Sequence, residues 1–300
     1  MNKFTIGVDV GGTNVKLGLV DPGGKILDRS RFATKPFLGD KNELIRALGG
    51  AIEDIIDKNR IKKNNVAGIG LGLPGLIDLD KGVVEVLPNI PGWEKTPLVS
   101  ILRKNLRLPV YIDNDVNVIT LAEWKMGAGK GYENLVCITL GTGVGGGLIL
   151  NNEIYRGEGF VAGEIGHIPY RSKVLEAYVG NKSIQKMAAR VFAKKDIKIE
   201  DLHDLAKNNN RKAIEIWQTV GEAIGTTLAG VVNVLNPRLI VIGGGVSNNF
   251  GHLKRPISET LKAKAMAVQA RMVKVVRAQL GDDAGILGAR ILVESMTKLS

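Results

Sequence analysis

Apolar positions alternate over residues 4–9 and resume over residues 15–20, with the turn residues Asp9, Val10, Gly11, Gly12 and Thr13 ending the first run. β-Rich runs on either side of a diglycine predict antiparallel strands joined by a turn. Asp21, Pro22, Gly23 and Gly24 are turn chemistry and predict a third strand near residues 25–32. The period then changes. Leu44, Ile45, Leu48, Ile52, Ile55 and Ile56 fall at helical spacing, predicting a helix over 42–59 with Asp40 as its N-cap. Residues 66–73 read as a buried strand rich in small residues, ending at Pro74 and Gly75. Pro88 and Pro91 bracket Asn89 in a rigid loop. A helix over 99–106 follows, then a short strand over 109–112 that runs into Asp113, Asn114 and Asp115, then a buried helix over 116–126.

The second half repeats the opening. Apolar residues 136–140 lead into Gly141, Thr142 and Gly143, and the chain returns through apolar residues 144–150 to a hairpin turn at Asn151 and Asn152. Helices are predicted over 184–192 and 213–235, the second stopped by Asn236 and Pro237. A strand over 239–242 empties into Gly243, Gly244 and Gly245, and a closing helix spans 283–299. Two similar halves predict an α/β protein of two domains with a cleft between them. The boundary falls near Asp113, giving domains 1–113 and 114–284, with the helix at about 285–300 packing back on the first. No low-complexity linker or tandem short repeat interrupts the chain.

Composition narrows the class. With 300 residues, 44% hydrophobic and 24% charged, the chain has the make-up of a soluble globular protein of two ordinary domains. No apolar run approaches the ~20 residues that span a bilayer. The N-terminus passes at once into a glycine-broken strand, so no signal peptide is expected. A single cysteine, Cys137, excludes an internal disulfide and a multi-cysteine zinc cluster, and suits a reducing cytoplasm. The net charge is +11, and Lys254, Arg255, Lys262, Lys264, Arg271, Lys274 and Arg277 supply much of it. These cations are spread among apolar residues, which favours a solvated lysine-rich surface over a nucleic-acid patch or a funnel for phosphate-rich substrates.

Chemistry concentrates at strand ends. Gly11–Gly12, Gly141–Thr142–Gly143 and Gly243–Gly244–Gly245 each follow an apolar strand, and glycine-rich turns leave backbone N–H groups free to meet an anion. Asp9 precedes the first of them, where a divalent cation could bridge a carboxylate to phosphate. None of the turns fits the P-loop spacing. Asn114 and Asp115 end a strand midway between the first two turns. A carboxylate there could take the proton of an attacking hydroxyl, and an amide could bind a polyol; the plainer alternative is an Asx turn or a helix cap. Glu164 and His167 lie three apart with Glu176 nearby, a set suited to hydroxyl recognition. His203 and His252 have no obvious ligand partner, so metal binding is the weaker reading.

Together, VDVGGTNVKLGLVD, GIGLGLPGLID, PNIPGW, YIDNDVN, ITLGTGVGGGLI, GEIGHIP, LEAY and NPRLIVIGGGVS resemble the ROK family of sugar kinases and related repressors, in order from Phe4 to the C-terminal helix. The resemblance implies the actin-like, hexokinase-type (ribonuclease H-like) ATPase fold. By position, Asp9, Gly11, Gly12 and Thr13 match the first phosphate loop, with Asp9 serving Mg2+ through phosphate or water. Gly141, Thr142 and Gly143 match the second loop, and Gly243, Gly244 and Gly245 the adenosine site. Asp115 falls on the catalytic base and Asn114 on its sugar-binding partner. Gly75, Asn89, Glu164, His167 and Glu176 fall on sugar-contacting positions. The family follows GHxP with a cysteine-rich zinc-binding segment; in this chain residues 170–174 run straight to Leu175 and Glu176 without a cysteine. No zinc is therefore expected, His167 must be oriented by other hydrogen bonds, and Glu176 arrives on a shorter loop.

The resemblance implies an ATP- and Mg2+-dependent hexose kinase acting at a 6-hydroxyl, with glucose first and mannose, fructose or N-acetylmannosamine as alternatives. Polyphosphate is a possible donor. A cytoplasmic homodimer without nucleic-acid or membrane partners is implied as well. Family repressors carry a helix-turn-helix before the kinase-like body, and only three residues precede Phe4, which disfavours a reading head. A catalytically idle sugar-binding module is the third reading.

Overall fold

The computed structural model describes residues 3–88 and 90–298. β1 (Phe4–Val10), β2 (Asn14–Val20) and β3 (Ile26–Ala33) form an antiparallel meander. α1 (Lys41–Lys58) begins at Asp40, whose carboxylate accepts the Glu43 N–H at 3.0 Å. β4 (Val66–Leu73) pairs parallel with β1 and leads into a small hairpin, β5 (Leu76–Asp78) and β6 (Val83–Val86). α2 (Leu98–Leu106), β7 (Val110–Asn114) and α3 (Asp115–Lys125) follow.

The second half starts again with a meander of β8 (Leu135–Leu140), β9 (Val144–Leu150) and β10 (Glu153–Tyr155). After a short hairpin, β11 (Pro169–Tyr170) and β12 (Lys173–Val174), come α4 (Glu176–Val179), α5 (Asn181–Phe192), α6 (Ile199–Lys207) and α7 (Arg211–Leu235). β13 (Leu239–Gly243), α8 (Phe250–Lys264), α9 (Ala267–Met272), β14 (Lys274–Arg277) and α10 (Ala284–Lys298) complete the chain.

The two large sheets have the same plan. Their strand orders are β3-β2-β1-β4-β7 and β10-β9-β8-β13-β14, in each case a meander extended by two parallel strands. Central strands such as β1, β4, β8 and β13 are buried along nearly their whole length, as parallel segments usually are. Edge strand β3 is exposed at most positions. Each sheet has its own apolar core, one led by Ile6, Leu17, Leu48 and Leu71, the other by Ile138, Trp217, Leu228 and Ile242.

By compactness the first unit takes the residues through Met126, Arg156–Val161, and the chain from Asp282 onward; the second takes Gly127–Tyr155 and Ala162–Gly281. α3 goes with the first unit, past the crossing anticipated near Asp113, because it packs on β4 and α10. Glycines let α10 approach backbone to backbone. A Cβ at Gly7 of β1 would lie 2.2 Å from the Ile286 carbonyl oxygen, and one at Gly70 of β4 2.1 Å from that of Ala289. The small residues noted in β4 are seats for a distant helix.

Residues 250–277, where the sequence showed only scattered cations, hold α8, α9 and β14. Pro256 inside α8 hid the helical period. Its ring fits because Gly221 of α7 stands opposite, where a Cβ would come within 2.6 Å.

Candidate functional site

The first glycine turn is held from behind. Gly11 N–H donates to the Asn14 carbonyl at 2.9 Å, while the fully buried Thr34 donates its hydroxyl to the Gly11 carbonyl at 2.8 Å and its N–H to the Thr13 carbonyl at 2.9 Å. Gly12 and Thr13 remain exposed on the outer side. Asp9, near the end of β1, faces the start of α10, where a Cβ on Gly285 would stand 2.6 Å from the Asp9 carboxyl carbon. Burial pushes the Asp9 carboxyl above its ordinary range; Lys16 opposes the shift and Asp282 adds to it. A partly compensated carboxylate beside exposed backbone is a fitting donor for a divalent cation that also meets phosphate.

The Asp9 shift has a cost. The folded protein holds that proton to higher pH than the unfolded chain, so stability falls as pH rises through the interval between the two values. Above the raised value, the ionised Asp9 is a strain on the ligand-free fold. Asp9→Asn is therefore expected to raise the melting temperature of the free protein, and by more as pH increases. The same variant should lose the stabilisation that MgATP confers on the wild type. Thermal melts across a series of pH values, with and without MgATP, check both; a lower melting temperature for the free variant at every pH would contradict the electrostatic reading.

The second turn is tied to Glu176. Gly141 N–H donates to the Gly143 carbonyl at 2.9 Å, and the Asn181 N–H at the start of α5 donates to the Gly141 carbonyl at 2.9 Å. Val144 N–H donates to Glu176 Oε2 at 2.8 Å, and a Cβ at Gly143 would stand 2.6 Å from that oxygen. Gly143 is thus a seat for Glu176, whereas a Cβ at Gly141 would meet nothing within 4 Å. The hairpin of β11 and β12, turned through Arg171 in the left-handed region (φ 53°), delivers Glu176 directly to this turn. One side chain of the predicted hydroxyl-binding set therefore shapes the phosphate-type turn.

The third turn divides similarly. Gly244 has φ 79°, and its Cβ would fall 2.4 Å from the Leu140 carbonyl oxygen, so the packing of β8 demands glycine there. Gly245 opens to space, and Gly243 makes ordinary contacts. Within the second unit, Glu164 Oε2 and His167 Nδ1 are 3.2 Å apart, with side chains 52% and 66% exposed. An exposed pair of this kind adds little stability and is available to a ligand.

In the first unit β7 passes directly into α3. Asn114 is the N-cap, its side-chain oxygen accepting the Val116 N–H at 2.9 Å and the Asn117 N–H at 3.4 Å, while its amide donates to the Gly75 carbonyl at 3.3 Å. Gly75 has φ 149°, and a Cβ would collide with the Val86 carbonyl oxygen at 2.1 Å. Asp115, half-buried, is the first helical residue and accepts the Val116 N–H at 2.9 Å. The capping role that the sequence left open for this pair thus belongs to Asn114. Asn89 lies outside the described residues.

The structure thus assembles Asn114, Asp115 and Gly75 in one unit, with Asp9, Gly11, Gly12 and Thr13 on the same sheet. Glu164 pairs with His167, and Glu176 joins the turn at 141–143, in the other. Sequence reasoning missed Thr34, Gly285 and the buried Asp113, which receives two hydrogen bonds from Arg156 at 2.7 and 2.9 Å. No local signal marks these residues, whose partners lie far along the chain.

Such a pair of like sheets with strand-end glycine turns and a strand-to-helix Asn-Asp junction fits an α/β protein that binds phosphate groups. The model described as ROK family matches residues 5–296, and the chain belongs to that family. It is 33% identical to a glucokinase of Halalkalibacterium halodurans over 318 aligned positions, covering 98% of this chain and 96% of the relative. It is also similar to the crystal structure of a ROK family glucokinase from Streptomyces griseus in complex with glucose and AMPPNP, with TM-score 0.83 and 28% identity over 97% of this chain and 99% of that one. A ROK hexokinase from Thermus thermophilus matches with TM-score 0.81 and 29% identity over 99% of this chain and 100% of that one. The fold is accordingly the actin-like, hexokinase-type α/β fold.

Proposed function

We propose that this protein is an ATP-dependent hexose kinase that phosphorylates the 6-hydroxyl of glucose. The observation that carries the reading is the β7–α3 junction. Asn114 takes the cap of the helix, and Asp115 sits beside it as a half-buried carboxylate. Full-length similarity to glucokinases, one of them bound to glucose and AMPPNP, supports both the sugar and the donor.

In this reading Asp115 accepts the proton of the 6-hydroxyl as its oxygen attacks the γ-phosphorus of ATP, and the bond from that phosphorus to the ADP oxygen breaks. Asn114, Gly75 and Asn89 hold sugar hydroxyls, as do Glu164 and His167. Glu176 orders the second turn as well as reaching toward the sugar. The turns at Gly11–Gly12–Thr13 and Gly141–Thr142–Gly143 bind phosphates through backbone N–H groups, and Gly243–Gly244–Gly245 borders the adenosine. Asp9 would hold Mg2+ through phosphate or water, and the ion supplies neutralisation of phosphate charge.

No zinc is part of the proposal. Among the described residues no three His, Cys, Asp or Glu side chains converge on a common point, and no helix is long and apolar enough to cross a membrane. A cytoplasmic homodimer without nucleic-acid partners completes the reading.

A coupled ADP-release assay over glucose, mannose, fructose, N-acetylmannosamine and N-acetylglucosamine tests it. Glucose is expected to give the highest kcat/KM, by about tenfold or more, the discrimination that one well-placed hydroxyl contact provides. Preference for another hexose would reassign the substrate, and no sugar-stimulated release with any of them would overturn the kinase reading.

A further inference from the structure

Beside the proposed base lies a buried ion pair that this mechanism does not use. Asp113, the residue before Asn114, has a side chain only 2% exposed, yet all its acceptor capacity is engaged. Its Oδ2 receives Arg156 Nε at 2.9 Å and Nη2 at 2.7 Å. Its Oδ1 receives the Asn114 N–H at 2.8 Å and the side-chain amide of Asn117, in the first turn of α3, at 3.1 Å. One carboxylate therefore ties the end of β7, the start of α3 and the incoming guanidinium together. From the other side, Gly72 of β4 stands so close that a Cβ would be 3.3 Å from the Asp115 Cα. The backbone carrying Asp115 is clamped between them.

Arg156 comes from far along the chain. It follows β10 of the second unit and opens the segment Arg156–Val161, which clusters with the first. Ordering an arginine on a buried carboxylate costs desolvation and side-chain freedom, and a buried ion pair is a weak route to stability compared with apolar packing. Such a pair suits the fixing of geometry. Resting on the kinase reading, we infer that Arg156 is a positioning residue for phosphoryl transfer: through Asp113 it sets the backbone that aims Asn114 and Asp115 at the sugar. Among the described residues the Asp113 charge has no other cation as a hydrogen-bond partner, so Arg156 also prevents a bare carboxylate from standing next to the base.

Steady-state kinetics of Arg156→Met, Arg156→Lys and the double variant Asp113→Asn/Arg156→Met, each with a thermal melt, test the inference. A cavity of about 440 Å³ that Arg156 shares with Tyr111, Phe160 and Leu292 leaves room for either replacement. Arg156→Met is expected to lower kcat about 10²-fold, the penalty of a displacement near 1 Å at a reacting group, with KM for glucose and ATP within about threefold. Arg156→Lys should recover only part of that loss, about a third to a half on a logarithmic scale, since it keeps the charge without the paired donors. The double variant, freed of the orphaned charge, should turn over faster than Arg156→Met alone. A folded Arg156→Met with kcat within twofold of wild type, or a loss confined to KM, overturns the inference. Should Arg156→Met fail to fold, Arg156→Lys decides: kcat lowered severalfold at unchanged KM supports it, and wild-type kcat overturns it. A wild type that phosphorylates no hexose overturns the kinase reading and this inference with it, whereas an active wild type with indifferent variants overturns this inference only.

Discussion

Asp115→Asn is expected to lower kcat for hexose phosphorylation by about 10²- to 10⁴-fold, with KM for the sugar changed only a few-fold. The expectation follows from where the helix gets its cap. Asn114 accepts from both the Val116 and the Asn117 N–H at the start of α3, so the variant keeps the cap. The amide oxygen can still accept the Val116 N–H that Asp115 now accepts at 2.9 Å. What the amide cannot do is take a proton from an attacking hydroxyl. A folded variant with a large kcat loss therefore isolates the chemical role. Retained activity within a few-fold would make Asp115 an ordinary first-turn residue and would favour a sugar-binding module.

The largest effect on stability is expected from Gly288→Ala, one added methyl group. A Cβ at Gly288 would lie 1.8 Å from the Val118 carbonyl oxygen, so α10 and α3 touch through their backbones. Neither side can retreat freely, because α10 is also pressed against β1 and β4 at Gly7 and Gly70. The expected cost is about 3 kcal/mol, at the upper end of ordinary overpacking, or a fall in melting temperature of roughly 6–12 °C. Gly49→Ala is the matched control. It lies in α1, where a Cβ meets nothing within 4 Å, and helix propensity predicts a gain of about 0.5–1 kcal/mol. Denaturant unfolding of both variants gives the comparison, and a Gly288→Ala cost below ~0.5 kcal/mol would contradict the close approach.

Much of this architecture was legible in the chain because both meanders are local. The period-2 runs around Gly11–Gly12 and around residues 141–143 sit within hairpin distance, and Asp40 announces α1 within a few residues. Elements whose signals were short or broken stayed hidden. β14 is four residues long with one buried residue, Val275, and α8 carries a proline. The glycine turns were legible as turns, but not in their division of labour. Gly143 and Gly244 are required by contacts to Glu176 and Leu140, which only tertiary structure reveals, while Gly141 and Gly245 face open space. The seat of Asp115 was half legible: the Asn-Asp pair stands out at the end of a strand, but the arginine behind it is separated from Asp113 by 43 positions.

The most direct measurement is product analysis by 31P NMR after incubating the purified wild type and Asp115→Asn with glucose and MgATP. The account predicts glucose 6-phosphate and ADP in equal amounts from the wild type, with little or none from the variant over the same time. ADP without a sugar phosphate, phosphate on a different hydroxyl, or equal product from both proteins would contradict it.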